Sequence, residues 1–314
     1  MVIKKSILFG LFLFLLSGIA FGQKEKEVKV KTPNGKLYGS LLMPDTKKDV
    51  PVVLFIAGSG PTDRDGNNGV MKTNSYKLLA EELAKKNIGS LRFDKQGIGK
   101  SADARIEENE LRFEDLVKDV NSWVEYLKKK KNISEVIILG HSEGSLLGIL
   151  SAQESKVDKF ISVAGAGRSI DEILIEQIEV QSSEYTPEVK SIIERLKKGD
   201  TVSNVSPELN SIFRPSIQGY LISWFKYDPK TELEKVDIPY LIVQGTTDIQ
   251  VKVEDAKRLN EANKNDNLII IEGMNHILKT APADRKENIK TYYDSKLPIH
   301  DELVDQIVEF ILRT

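Results

Sequence analysis

Ser142 stands between Gly140 and Gly144 in Val136-Ile137-Ile138-Leu139-Gly140-His141-Ser142-Glu143-Gly144. The apolar run ends in Gly-x-Ser-x-Gly and leads into the helix-compatible Ser145-Leu146-Leu147-Gly148-Ile149-Leu150. A strand that turns sharply into a helix at a serine holds the hydroxyl in a strained, exposed position. The two glycines are needed because the turn brings backbone too close for side chains. The free N–H groups and dipole of the following helix face the same point and favour an oxyanion. The chemistry this suits is acyl transfer through a serine nucleophile.

A serine hydroxyl needs a base at neutral pH, most often histidine. The chain has three histidines: His141, His276 and His300. His141 is inside the turn and is expected to pack beneath it. His300 lies just before the last helix and is expected to be an exposed residue near its cap. His276 follows the strand Leu268–Glu272 across the short loop Gly273-Met274-Asn275, which puts it at the same sheet edge as Ser142 if the strands are parallel. It is the expected base. A carboxylate should orient its ring. Asp248 follows the strand Pro239–Gly245 on a loop of that edge and is the expected partner, with Asp255 and Asp266 the weaker candidates.

The oxyanion should be held by the backbone N–H of Glu143, the residue after the nucleophile, and by a second N–H from the loop after the strand Pro51–Ala57. In that loop, Gly58-Ser59-Gly60-Pro61, the Ser59 amide is the first choice and Gly60 the alternative, because Pro61 lacks an N–H. Arg64 is a candidate contact for a polar substrate group, with surface ion pairing the alternative. Asp94 and Ser101 are expected to pin the loop around Gly97-Ile98-Gly99, which has neither a Walker lysine pattern nor full dinucleotide spacing.

These residues need a frame, and the pattern supplies one. Val28–Lys31 and Leu37–Met43 flank the hairpin signal Pro33-Asn34-Gly35. Strands near 51–57, 89–93, 136–140, 160–164, 240–245 and 268–272 then alternate with amphipathic helices near 76–86, 114–130, 254–263 and 302–313. In the second helix Leu116, Val117, Val120, Trp123, Val124 and Leu127 recur at helical spacing as core. The alternation predicts a mostly parallel twisted sheet of about eight strands with helices on both faces. From about 168 to 228 no good strand occurs. Segments 170–184, 187–198 and 207–225 read as helices, and Trp224 is among the apolar residues, with Ile173, Ile212, Tyr220 and Leu221, available to line an acyl pocket.

The chain resembles α/β hydrolases of the bacterial esterase type, including serine aminopeptidase-like (S33-type) and cinnamoyl-esterase-like members. The resemblance rests on Gly58-Ser59-Gly60-Pro61-Thr62-Asp63-Arg64-Asp65-Gly66-Asn67, on Phe93-Asp94-Lys95-Gln96-Gly97-Ile98-Gly99-Lys100-Ser101, on the Ser142 elbow, on Asp248 and His276, and on Thr291-Tyr292-Tyr293-Asp294. It runs from about Val28 to the C-terminus. The order Ser142, Asp248, His276 is the family's order. An arginine is common where Gln96 stands, and many lipases have a His-Gly pair where Gly58-Ser59-Gly60 stands. The resemblance implies an α/β-hydrolase fold and a helical cap over the site at about 168–228.

Composition bounds the function further. With 40% hydrophobic and 29% charged residues in 314, the chain reads as one large globular α/β domain, about 23–314, with an insertion. A net charge of −2 creates no field that would draw nucleic acid. The absence of cysteine excludes disulfides and thiolate chemistry. Three scattered histidines suggest no zinc site, and no metal or organic cofactor is expected. Residues 1–22 read as a signal peptide: Lys4-Lys5, an apolar run from Ile7 to Leu16 and a small-x-small site at Ala20-Phe21-Gly22. Gln23 would begin a periplasmic or secreted chain with no stable membrane span, whose polar start through Glu27 is expected to be poorly ordered. The expected activity is that of a secreted carboxylesterase on small-molecule esters. The alternatives are a serine peptidase or amidase of the same fold, and a non-catalytic binding protein that retains it.

Overall fold

In a computed structural model of the protein, residues 24–262 and 267–313 are described. The expected signal peptide and Asp266 lie outside them. The described strands are β1 (Lys24–Thr32), β2 (Gly35–Met43), β3 (Val50–Ile56), β4 (Gly89–Phe93), β5 (Ile133–His141), β6 (Lys159–Val163), β7 (Tyr240–Gly245) and β8 (Leu268–Ile271). They form one eight-stranded sheet in the order β1-β2-β4-β3-β5-β6-β7-β8. The β1–β2 and β2–β4 pairs are antiparallel, and β3 to β8 run parallel. The parallel strands are mostly apolar, as strands covered on both faces are. Every residue of β4 and β7 is buried.

The helices are α1 (Ser75–Lys85), α2 (Phe113–Lys128), α3 (Glu143–Glu154), α4 (Ile170–Gln181), α5 (Thr186–Lys197), α6 (Asn210–Phe213), α7 (Gln218–Trp224), α8 (Pro229–Leu233), α9 (Val253–Asn260), α10 (Arg285–Thr291) and α11 (Asp301–Leu312). Two buried clusters sit on opposite faces of the sheet. One gathers α2, α3 and the insertion, the other α1 and α11. The strand termini that follow β3, β5, β7 and β8 therefore open on one common edge, where Ser59, Ser142, Asp248 and His276 stand.

Residues between β6 and β7 form the cap helices α4 to α7. The apolar stretch 207–225, which the pattern joins into one helix, is broken into short turns. Pro215 is the cause: a proline disfavours the helical conformation of the residue before it, and Arg214 is extended at φ −50°, ψ 144°. The cap is packed onto α2: the Trp224 and Phe113 rings stack with centroids 5.2 Å apart, and the Phe113 N–H donates to Ser223 Oγ at 2.8 Å.

Two expectations about the chain's polar segments are corrected. The stretch from Lys24 to Glu27 is the first half of β1, paired with Met43 to Ser40. Its carboxylates are matched by cations of β4 and of the loops after β3 and β4: Glu25 meets the buried Arg92, and Glu27 meets Lys100 and Arg64. His300 is half-buried at the N-cap of α11, where its N–H donates to the Leu278 carbonyl at 2.9 Å.

Candidate active site

The elbow is shaped by close backbone approach. A Cβ on Gly140 would lie 2.2 Å from the Gly144 carbonyl, and one on Gly144 would lie 2.2 Å from the Ile56 carbonyl. Ser142 itself has φ 55°, ψ −121°, a conformation that ordinary L-residues avoid and that persists only where the surroundings impose it. Its N–H donates to the Val163 carbonyl at 3.0 Å. Glu143 opens α3, so its amide has no intrahelical acceptor. On the facing loop a Cβ on Gly58 would come 3.1 Å from Ser142 Cβ, so this loop packs directly against Ser142.

His276 is buried, and its Nδ1 lies 2.8 Å from Asp248 Oδ2. A carboxylate accepts only, so the ring proton sits on Nδ1 and Nε2 keeps its lone pair. The side chain of Asp248 is fully enclosed. Its Oδ1 accepts the N–H groups of Gln250 and Val251 at 2.7 and 3.0 Å, and its Oδ2 also accepts Gln244 Nε2 at 3.1 Å. Burial opposes ionisation of Asp248, yet the attraction of His276 and these donors outweighs it and holds the carboxyl below the usual range. The two loops are tied together from α10: Asn288 Nδ2 donates to the Thr247 carbonyl at 2.7 Å, and Asn275 Nδ2 donates to Thr291 Oγ1 at 2.8 Å.

His141 packs beneath this pair. Its Nε2 faces the His276 carbonyl at 2.8 Å and must donate to it, so its Nδ1 accepts the Tyr76 hydroxyl at 2.8 Å. Tyr76 in turn accepts the Gly58 N–H at 3.2 Å. Burial, helped by the nearby His276, pushes His141 from 6.5 down to about 3. In the unfolded chain this histidine protonates below about 6.5, whereas in the folded chain it stays neutral until about 3. Stability from this group is therefore complete above 6.5 and is lost as pH falls, by about 1.4 kcal/mol per pH unit. The expected outcome is that the stability gap between the wild type and His141→Gln narrows by that slope from pH 6.5 towards 4. Comparing the pair cancels other groups in the window, such as Asp119, which burial lifts to about 7. Denaturant melts at several pH values measure it, and a constant gap contradicts it.

Residues 69–203 match the family model described as serine aminopeptidase, S33. Over 297 residues the chain is 26% identical to Esterase EstD of Thermotoga maritima, an alignment spanning 92% of this chain and 68% of that protein. The structure of Est1E from Butyrivibrio proteoclasticus with ferulic acid bound matches at a TM-score of 0.60 and 19% identity, over 91% of this chain and all of that one. The chain has the α/β-hydrolase fold. Another solved α/β hydrolase, XC6422 from Xanthomonas campestris, described as lacking a lid, matches at a TM-score of 0.53 and 14% identity, over 94% of this chain and 98% of that one. In the protein described here α4 to α7 cover the edge where Ser142 lies.

Beneath α4 to α7 is a cavity of about 650 Å³, reached by Ser59, Ser142 and Glu143 and walled by Leu146, Ile173, Leu221 and Trp224. On the other side of Ser142 is a second cavity of about 110 Å³, lined by His276, Tyr76, Asn68 and Tyr292. Trp224 is thus in the wall of the large cavity. Arg64 lines neither: its Nη2 donates to Asp94 Oδ2 at 2.6 Å and its backbone N–H to Asp94 Oδ1 at 2.9 Å. Asp94 also accepts the Lys100 N–H, and Ser101 Oγ donates to the Asp94 carbonyl, so this group of residues braces the loop. Asp255 is committed to Arg168, which it meets through both carboxylate oxygens at 2.9 and 2.8 Å.

Lys95, Tyr76 and Gln250 stand at the site without a role in the sequence reading. Gln250 lines both cavities. Nothing in the spacing of Lys95 and Tyr76 marks them, because both reach the site across strands, whereas Gln250 is on the Asp248 loop itself.

Proposed function

We propose that the protein is a carboxylesterase in which Ser142 is the nucleophile, His276 the base and Asp248 its orienting carboxylate. The observation that carries this is the buried 2.8 Å contact of Asp248 with His276 Nδ1, on the edge where Ser142 is held at positive φ between two cavities. His276 Nε2 takes the Ser142 proton, Ser142 Oγ attacks the ester carbonyl, and the Ser59 and Glu143 amides receive the oxyanion. The imidazolium gives its proton to the leaving alcohol. A water deprotonated by the same nitrogen then releases the acid.

The two cavities divide the substrate. The leaving alcohol must be next to the histidine that protonates it, and His276 lines the small cavity but not the large one. The alcohol therefore leaves on the side of about 110 Å³, room for only a few water-sized groups at about 30 Å³ each. The acyl group occupies the larger, mainly apolar cavity. Two observations favour esters over aminoacyl peptides. The cavity's two carboxylates are already paired, Glu108 with Arg214 and Ser216, Glu143 with Lys95 and Tyr220. Neither is open to a substrate ammonium group.

A matched panel tests this: methyl to butyl esters of one aryl-substituted acid, methyl esters of acids from acetate upward, and aminoacyl anilides. Expected are kcat/KM values that rise with the acyl group, fall as the alcohol grows, and vanish for the anilides. Turnover of the anilides with none of the esters refutes the esterase reading; a preference for bulky alcohols on small acids reverses the cavity assignment.

A further inference from the structure

Lys95 is buried at the end of β4, although no step above uses it. Its Nζ donates to the Gly58 carbonyl at 2.6 Å and lies 3.6 Å from Glu143 Oε2. The other oxygen of Glu143, Oε1, accepts the hydroxyl of Tyr220 from α7 at 2.6 Å. Burial draws the Lys95 ammonium down from its ordinary range, and Glu143 opposes that shift. Desolvating an ammonium is costly, and an apolar side chain would fill the same space at less cost.

The Gly58 carbonyl belongs to the same peptide unit as the Ser59 N–H. A trans peptide is planar, and its C=O and N–H point in opposite directions. Holding the carbonyl on one side therefore aims the amide to the other. Sterics alone do not lock this plane. Gly58 precedes it, and Gly60 follows Ser59 at φ 75° with nothing within 4 Å of the place a Cβ would occupy. The neighbouring peptide is tied by the Gly58 N–H to Tyr76, which leaves the Gly58–Ser59 plane to the ammonium.

We propose that Lys95 is a positioning residue of the oxyanion hole: its ammonium grips the Gly58 carbonyl and so turns the Ser59 N–H onto the developing oxyanion at Ser142. This rests on the serine-esterase reading above. The ammonium also polarises the peptide, which strengthens Ser59 as a donor. Glu143 keeps the ammonium charged, and the Tyr220 hydroxyl ties Glu143 to the cap, so a cap helix braces the oxyanion loop through three side chains.

The test compares the wild type with Lys95→Met and with Lys95→Met/Glu143→Gln. The double variant leaves no unmatched buried carboxylate, so it answers the question if the single variant fails to fold. On the methyl ester of an aryl-substituted acid, kcat should fall about 10²-fold, the effect of losing one oxyanion donor. KM should stay within about threefold, because the ground-state carbonyl makes little use of the donor. The inhibition constant of a trifluoromethyl ketone carrying the same acyl group should rise by the same factor as kcat falls. A merely structural lysine would lower the melting temperature without this split between kcat and KM. Either folded variant with kcat within threefold of wild type, or with a loss confined to KM, overturns the role of Lys95 alone. A wild type that turns over no ester overturns the esterase reading and this proposal with it.

Discussion

Ser142→Ala is expected to lower kcat on the methyl ester of an aryl-substituted acid by about 10⁶-fold, the scale on which a serine hydrolase loses turnover when its nucleophile is removed. Alanine keeps the Cβ that Gly58 packs against and accepts the same backbone strain, so the elbow and the melting temperature should change little. KM should also hold, since the cavity walls are untouched. A fluorophosphonate reagent should form one covalent adduct on the wild type and none on the variant. Labelling that persists in Ser142→Ala, or turnover within tenfold of wild type, would remove Ser142 from the mechanism.

Asp248→Asn is expected to lower kcat about 10⁴-fold while the protein stays folded. The hydrogen bonds around Asp248 give the reason. The Gln250 and Val251 N–H groups require an acceptor at the Oδ1 position. The asparagine oxygen must therefore stay there, and its NH₂ must face His276 Nδ1 and Gln244 Nε2. A donor then meets His276 Nδ1, which drives the ring proton to Nε2. In that tautomer His276 presents N–H rather than a lone pair to Ser142 and cannot act as a base. The NH₂ also opposes the Gln244 amide, a repulsion expected to lower the melting temperature modestly. The measurements are kcat on the same ester and a thermal melt. Near-wild-type turnover in a folded Asp248→Asn would show that Asp248 does not set the tautomer.

The His141 and His276 rings are in contact, with centroids 4.8 Å apart. The Tyr76 hydroxyl, which burial raises well above its ordinary range, remains a donor to His141 throughout. The elbow, the Gly58–Gly60 loop and the His276 loop are thus joined by one set of neutral hydrogen bonds.

The elbow was legible in the sequence because its information is local. Glycines two residues either side of a serine, an apolar run before and a helix after describe the turn completely, and the structure has that turn at residues 140–144. The alternation of apolar strands with amphipathic helices likewise reported the sheet, since burial on both faces is written into each strand. Asp248 and His276 could be placed on one edge from the strands before them, though their pairing needed the parallel order of β5, β6, β7 and β8. What only the tertiary structure decided is which charges meet. Arg64 could be read as a substrate contact or as an ion pair, because an arginine in a loop near a site carries no sign of its partner; the sheet brings Asp94 from the end of β4 against it, which makes it an ion pair. The acidic and basic start of β1 read as unstructured for the same reason, its partners Arg92 and Lys100 being some 70 positions away in sequence. Lys95, Glu143, Tyr220 and Gly58 come from four segments, and no spacing links them. Backbone geometry and burial follow from neighbours along the chain, whereas ion pairs and buried hydrogen bonds depend on which strands and helices become neighbours in space.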